Sequence, residues 1–174
     1  MNTNYHKNLA SSMTDQLLRI RKKNLRRSFQ DFTSTEHRME NVGEVNKVIF
    51  INDSKSTSVN ATYFALKTVK KPVVWIAGGK DAQTDYEELL PLVRLKVSAL
   101  IMIGEDNTKL FETFIDDIDE IYQAKDMEEA VKIAKKISFK GTRVLLSPAC
   151  EPDELFLSVE ERGELFKKAV KNVL

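Results

Sequence analysis

The chain has 174 residues, 42% apolar and 30% charged, which suits about one folded domain and excludes a disordered segment. Its 27 Lys+Arg against 26 Asp+Glu leave a formal charge of +1, without the basic excess expected of a dedicated nucleic-acid binder. The single cysteine, Cys150, excludes an internal disulfide and a multi-cysteine zinc site and fits a reducing compartment.

In chain order, residues 9–32 read as helix with a break near Arg19–Arg21, Leu17, Leu18, Leu25, Phe29 and Phe32 forming the apolar face. The basic cluster Arg19, Arg21, Lys22, Lys23, Arg26 and Arg27 reads as a solvated face, because no aromatic platform is interleaved with it. Met1–Met13 has no apolar core of signal-peptide length, and no stretch approaches the ~20 apolar residues of a membrane span. The expectation is a soluble, cytoplasmic protein with neither nucleic acid nor membrane among its partners.

From about Thr33 the pattern changes. Met39–Val45 and Val48–Ile51 flank Asn46-Lys47, a hairpin turn. Apolar strands follow at Val73–Ala77, Ala99–Ile103, around Glu120–Tyr122, and at Val144–Leu146. Helical patterns separate them at Ser58–Val69, Tyr86–Val97, Asn107–Phe114 and Met127–Ile137, and a last helix spans about Val159–Val173. Buried apolar strands alternating with amphipathic helices predict an α/β, Rossmann-like fold. It has a mostly parallel six-stranded sheet with helices on both faces, preceded by an N-terminal helical appendage.

In such sheets ligands sit outside the carboxyl ends of the strands. Asn52-Asp53-Ser54-Lys55, Gly78-Gly79-Lys80-Asp81, Gly104-Glu105-Asp106 and Ser147-Pro148-Ala149-Cys150 should therefore share one rim. Residues 53–57 follow a strand and open a helix. Their amides, lysine and hydroxyls suit a phosphate or carboxylate, and equally Asp53 or Ser54 could simply cap the helix. Gly78-Gly79 permits a tight turn with close backbone approach to a ligand, though it is not a dinucleotide fingerprint. His37 alone reads as structural, whereas Arg38 beside it could hold a phosphate or pair with a carboxylate. Cys150 has no histidine partner in sequence to make it a nucleophile. No G-x-x-x-x-G-K-[ST] occurs in the 174 residues, so they hold no P-loop.

Five segments, in order, carry a resemblance: Thr35–Glu40, Phe50–Thr57, Trp75–Asp81, Leu145–Cys150 and Glu160–Gly163. Together they resemble the C-terminal domain of the Mur ligases, in particular the D-glutamate-adding branch. The resemblance implies residues 33–174 as the amino-acid-adding domain and residues 1–32 as the last helices of a central ATPase domain. It also implies a reaction, addition of D-glutamate to UDP-N-acetylmuramoyl-L-alanine in peptidoglycan synthesis. ATP and magnesium would activate a carboxylate to an acyl phosphate, and the other domains would hold the UDP-linked muramoyl precursor. Without a P-loop the isolated chain is expected to be inactive.

By the same resemblance, Lys55, Arg38 and His37 are catalytic, while Asp53, Arg38 and Asn52 hold the nucleotide, Asp53 at the ribose. Thr57, Ser147 and Lys80 take the amino acid, and no residue is assigned to a metal. The chain departs from the family pattern at Ala82, Glu151-Pro152, Leu157 and Val159. These lie on the amino-acid side, so D-glutamate is expected to bind poorly. The alternative is a diverged ligase-like domain that uses another amine or acts as a binding or regulatory module.

Overall fold

The computed structural model describes residues 35–80 and 84–174. The expected N-terminal helices, their basic cluster, Asp81 and Ala82 lie outside the described residues. No helix among the described residues is long and apolar enough to cross a membrane.

The α/β body is built on six strands in the order β1-β2-β6-β3-β4-β5. These are β1 (Glu40–Val45), β2 (Val48–Asn52), β3 (Val73–Ala77), β4 (Val97–Ile103), β5 (Ile121–Ala124) and β6 (Arg143–Leu146). Only β1 runs antiparallel, paired with β2, and every other pairing is parallel. The β1–β2 turn uses Asn46 and Lys47 with φ of 49° and 66°, the doubly left-handed geometry that matches strand twist in a two-residue hairpin.

Five helices cover the sheet: α1 (Val59–Thr68), α2 (Leu90–Lys96), α3 (Thr108–Phe114), α4 (Met127–Ile137) and α5 (Val159–Lys171). The expected helix Tyr86–Val97 begins instead as a tight turn, Glu87–Leu89, before α2. Alternation along each strand sorts the core into two layers. On β3, Trp75 and Ala77 pack with Leu66 of α1, Val93 of α2 and Phe114 of α3. Val74 and Ile76 face the other way, toward Val131 and Ala134 of α4 and Phe166 and Val170 of α5. The carboxyl ends of the strands are themselves buried, Asn52, Ala77, Ile103 and Leu146 among them, beneath the loops that follow.

The four carboxyl-end loops do converge. Asn52 and Ile76 both register with Leu146 of the central β6, and Ala77 with Met102. Main-chain bonds then stitch loop to loop: Gly78 N–H to Pro148 O, Lys80 N–H to Glu151 O, and Ala149 N–H to Ser56 O, at 3.1, 2.9 and 3.0 Å.

Candidate functional site

The segment after β2 corrects one expectation. Neither Asp53 nor Ser54 caps α1: Ser58 does, its side chain accepting from Ala61 N–H. The amides of 53–57 do not form an anion cradle either, because each is already bonded. Asp53, Lys55, Ser56 and Thr57 N–H donate to Leu146, His37, Asp53 and Lys55 carbonyls. Ser54 N–H donates to Asn52 Oδ1 at 3.2 Å. What this segment offers a ligand is side chains, the partly exposed Lys55 and Thr57.

The glycines after β3 form the close backbone approach that their sequence suggests. A Cβ on Gly78 would strike Ile103 O and lie 2.5 Å from Asn107 Oδ1. One on Gly79 would strike Glu151 O and lie 3.2 Å from Cys150 Sγ. Both glycines are buried and the close approach they permit is to neighbouring loops, while Gly79 also lines the cleft beside Lys80.

Beneath the rim lies a buried polar network. Asp53 is 1% exposed. Its Oδ1 accepts from Met39 N–H at 3.2 Å, and its Oδ2 from Ser56 and Ser147 hydroxyls at 2.5 and 2.8 Å. Burial raises the Asp53 carboxyl above its ordinary 3.8, and the bonds from Ser56, Ser147 and Met39 and the charge of Arg38 oppose the rise. Ser147 pairs its hydroxyl with that of Thr62 at 2.9 Å, and its carbonyl accepts from Trp75 Nε1. A ribose reaching Asp53, or an amino acid reaching Ser147, must therefore compete with internal bonds.

A second buried group holds the strand before the rim. Asn52 Nδ2 donates to His37 Nδ1 at 2.9 Å and to Glu40 Oε2 at 3.0 Å. His37 Nε2 lies 3.6 Å from Glu164 Oε1. His37 is 3% exposed, and it and Met39 have φ of 65° and 46°. Two left-handed residues on either side of Arg38 are a local strain that the surrounding bonds maintain. Arg38 is thereby presented, partly exposed, on a segment that cannot relax freely.

The predicted residues thus fall into two sets. His37, Asn52, Asp53 and Ser147 are buried and bonded internally, whereas Arg38, Lys55, Thr57 and Lys80 reach the surface. Lys55 Nζ stands 3.7 Å from Glu160 Oε1 at the start of α5. Lys80 lines a cleft of about 380 Å³ with Gly79, Glu105, Asp106, Pro152, Asp153 and Glu154. Cys150 is buried and its thiol donates to Pro148 O, which leaves it no nucleophilic role.

Sequence reasoning noticed the Glu160–Gly163 segment without giving it a task. In the structure it is where the loops meet. Arg162, 0% exposed, donates from Nη2 to Ser54 O at 2.8 Å and from both Nη atoms to Cys150 O at 3.2 Å. Gly163 lets α5 lie directly on His37 and Ser54. The signal was available: 162, 166, 169 and 170 share one helical face, so an arginine stands in an otherwise apolar stripe.

The family defined as "Mur ligase, glutamate ligase domain" matches residues 37–150. The chain is 48% identical over 165 residues to the UDP-N-acetylmuramoylalanine--D-glutamate ligase of Christiangramia forsetii, which covers 95% of this chain and 37% of that protein. It is 42% identical over 170 residues to the UDP-N-acetylmuramoylalanine--D-glutamate ligase of Porphyromonas gingivalis, covering 98% and 38%. The chain therefore spans little more than a third of the length of these relatives. Among solved structures, the Mycobacterium tuberculosis folylpolyglutamate synthase complexed with ADP shares the fold at 12% identity. Its TM-score is 0.56, over 78% of this chain and 32% of that one. With the family match spanning most of the α/β body and the expected motifs on one rim, the chain belongs to the Mur ligase family, as a glutamate ligase domain.

Proposed function

We propose that the chain is the amino-acid-delivering domain of an ATP-dependent ligase that joins D-glutamate to UDP-N-acetylmuramoyl-L-alanine in peptidoglycan synthesis, in the cytoplasm. The observation that carries this reading is the 48% identity, over 165 residues, to a protein named for that reaction. Residues 33–174 form the adding domain, and residues 1–32 are the end of a preceding ATPase domain.

In this reading the γ-phosphoryl group passes from ATP to the muramoyl-alanine carboxylate. The D-glutamate amine then attacks the acyl carbon, an amide bond forms, and phosphate leaves. Arg38 and Lys55 face the phosphates and stabilise the charge that spreads over the transferring group. Thr57 and Lys80 face the incoming amino acid. His37, Asn52, Asp53 and Ser147 act mainly by holding those four side chains in place, with Asp53 the group beneath the ribose. Magnesium bound with the nucleotide would supply neutralisation of phosphate charge, and Glu160, an exposed carboxylate 3.7 Å from Lys55 Nζ, is not assigned to it.

The test replaces the corresponding third of the Christiangramia forsetii ligase with this chain and measures D-glutamate-dependent amide formation and phosphate release. Amide should form, and Lys55→Ala should lower kcat by about 10²–10³-fold. The chain by itself should not turn over ATP. A folded chimera that binds nucleotide yet forms no amide would refute the ligase reading and favour a binding module.

A further inference from the structure

Arg162 is a fully buried cation whose described hydrogen bonds all run to main-chain carbonyls. Its Nε is buried with no partner. Burial pushes its pKa down to about 10, only partly offset by acidic groups around it, Glu151 and Asp153 among them. Such an arrangement is a poor way to add stability, because desolvating a guanidinium is expensive and neutral carbonyls repay little of it. A methionine or leucine there would simply extend the apolar stripe of Phe166, Ala169 and Val170.

What the guanidinium does is join two peptides. Ser54 O belongs to the peptide that enters Lys55, and Cys150 O to the peptide that enters Glu151. Glu151 in turn accepts from Lys80 N–H at 2.9 Å and pairs with Lys80 as a short bridge. The two loops are also stitched by Ala149 N–H to Ser56 O. The Ser147 hydroxyl to Asp53 Oδ2 and Asp53 N–H to Leu146 O join them as well, so the guanidinium adds a further link, placed at the peptides that enter Lys55 and Glu151. Nη2 alone reaches both loops, and the planar fork adds Nη1 to Cys150 O, which fixes the orientation of the group as a lysine ammonium on its flexible stem would not. Gly79 closes the remaining space: a Cβ there would lie 3.3 Å from Arg162 Nη1.

We propose that Arg162 is a positioning residue for the ligase reaction, setting the separation between Lys55 on the phosphate side and the Lys80–Glu151 loops on the amino-acid side. This rests on the function proposed above. In the chimera, Arg162→Met should lower kcat by about 100-fold, the scale expected when reacting groups are misplaced by about 1 Å. KM for ATP and D-glutamate should each stay within about threefold, and Arg162→Lys, which keeps one arm, should recover part of kcat. A purely structural role predicts a lowered melting temperature with kcat per folded molecule unchanged.

A second measurement does not depend on activity. In the chain alone, Arg162→Met should speed amide hydrogen exchange at Ala149 by about tenfold or more, with Ile101 in the sheet unaffected. Unchanged exchange at Ala149 overturns the proposal whether or not the ligase reading holds. So does a kcat within about threefold of wild type in both variants, or failure of both variants to fold. An inactive wild-type chimera whose chain still shows the Ala149 effect counts against the ligase reading alone.

Discussion

Replacing Gly163 by alanine should destabilise the α/β body, although the same change inside an ordinary helix stabilises it. Gly163 lies within α5, where alanine gains about 1 kcal/mol over glycine through reduced backbone freedom. Here the added Cβ would lie far inside contact with His37 Nδ1, 2.5 Å from Ser54 Oγ and 2.8 Å from His37 Cε1. Neither neighbour has room to yield, because His37 is 3% exposed and tied to Asn52, and Ser54 is 0% exposed and donates to Val159 O. Overpacking costs about 1–3 kcal/mol, and each displaced hydrogen bond about 0.5–1.5 kcal/mol. Set against the helix gain, the net loss is about 2 kcal/mol, which for a domain of this size lowers Tm by about 4–8 °C. Thermal unfolding of the two chains, with urea titration for ΔG, measures it. A Gly163→Ala chain as stable as wild type would show that His37 swings aside at no cost, and the close seating of α5 on the His37 segment would lose its explanation.

Asp53→Asn should flatten part of the pH dependence of stability. Burial raises the Asp53 carboxyl above 3.8 in the folded state, so the folded chain keeps this proton to higher pH than the unfolded one. Its contribution is full below that ordinary value and is lost as pH rises through the raised one, a slope that urea unfolding across the acid range should find in wild type and not in the variant. Lys96→Met should cost about 2 kcal/mol in ΔG of unfolding, because Lys96 Nζ donates to the carbonyls of Leu66, Lys67 and Val69 at 2.7, 2.8 and 2.7 Å, closing the end of α1. An unchanged denaturant midpoint would show that water replaces the ammonium there.

The sheet was legible because its strands are apolar runs bounded by Gly, Asn and Ser, and the rim followed from the rule for open parallel sheets. Helix α4 was legible from the apolar face recurring through Met127, Ala130, Val131 and Ala134, and the structure adds Asp126 as its cap. The helix cap and amide cradle expected at residues 53–57 are absent for a physical reason. Asx and hydroxyl residues after a strand look alike whether they cap a helix or fold into a turn, and the choice of Ser58 is set by long-range bonds to Leu146 and His37. The Gly78-Gly79 pair has the same ambiguity: sequence shows that a Cβ is not wanted, but not whether a ligand or a loop stands in the space. Burial of Asn52, Asp53 and Ser147 is a property of three loops meeting, and no window of sequence contains all three.

On the proposed function, the side of the rim that carries Lys80 takes the amino acid, and it gives the sharpest expectation about specificity. The cleft beside Lys80 presents Glu105, Asp106, Asp153 and Glu154 against that one ammonium among its described lining residues. Asp153 is held in place by the amides of Glu105 and Leu155. D-glutamate brings two carboxylates and one ammonium. A like-charge pair 4 Å apart in water repels by about 1 kcal/mol, so two or three pairs at greater distance raise KM by about tenfold. Screening gives the sign. Between about 10 and 150 mM ionic strength the Debye length falls from about 30 to 8 Å, so KM for D-glutamate in the chimera should fall as salt is added. Glu154→Gln should lower it at low salt and reduce the salt effect, and D-glutamine, without the side-chain charge, should show a weaker dependence. A KM for D-glutamate that instead rises with salt would mean that attraction dominates. Lys80 would then outweigh the four carboxylates, and the charge of this cleft would not explain any weakness toward D-glutamate.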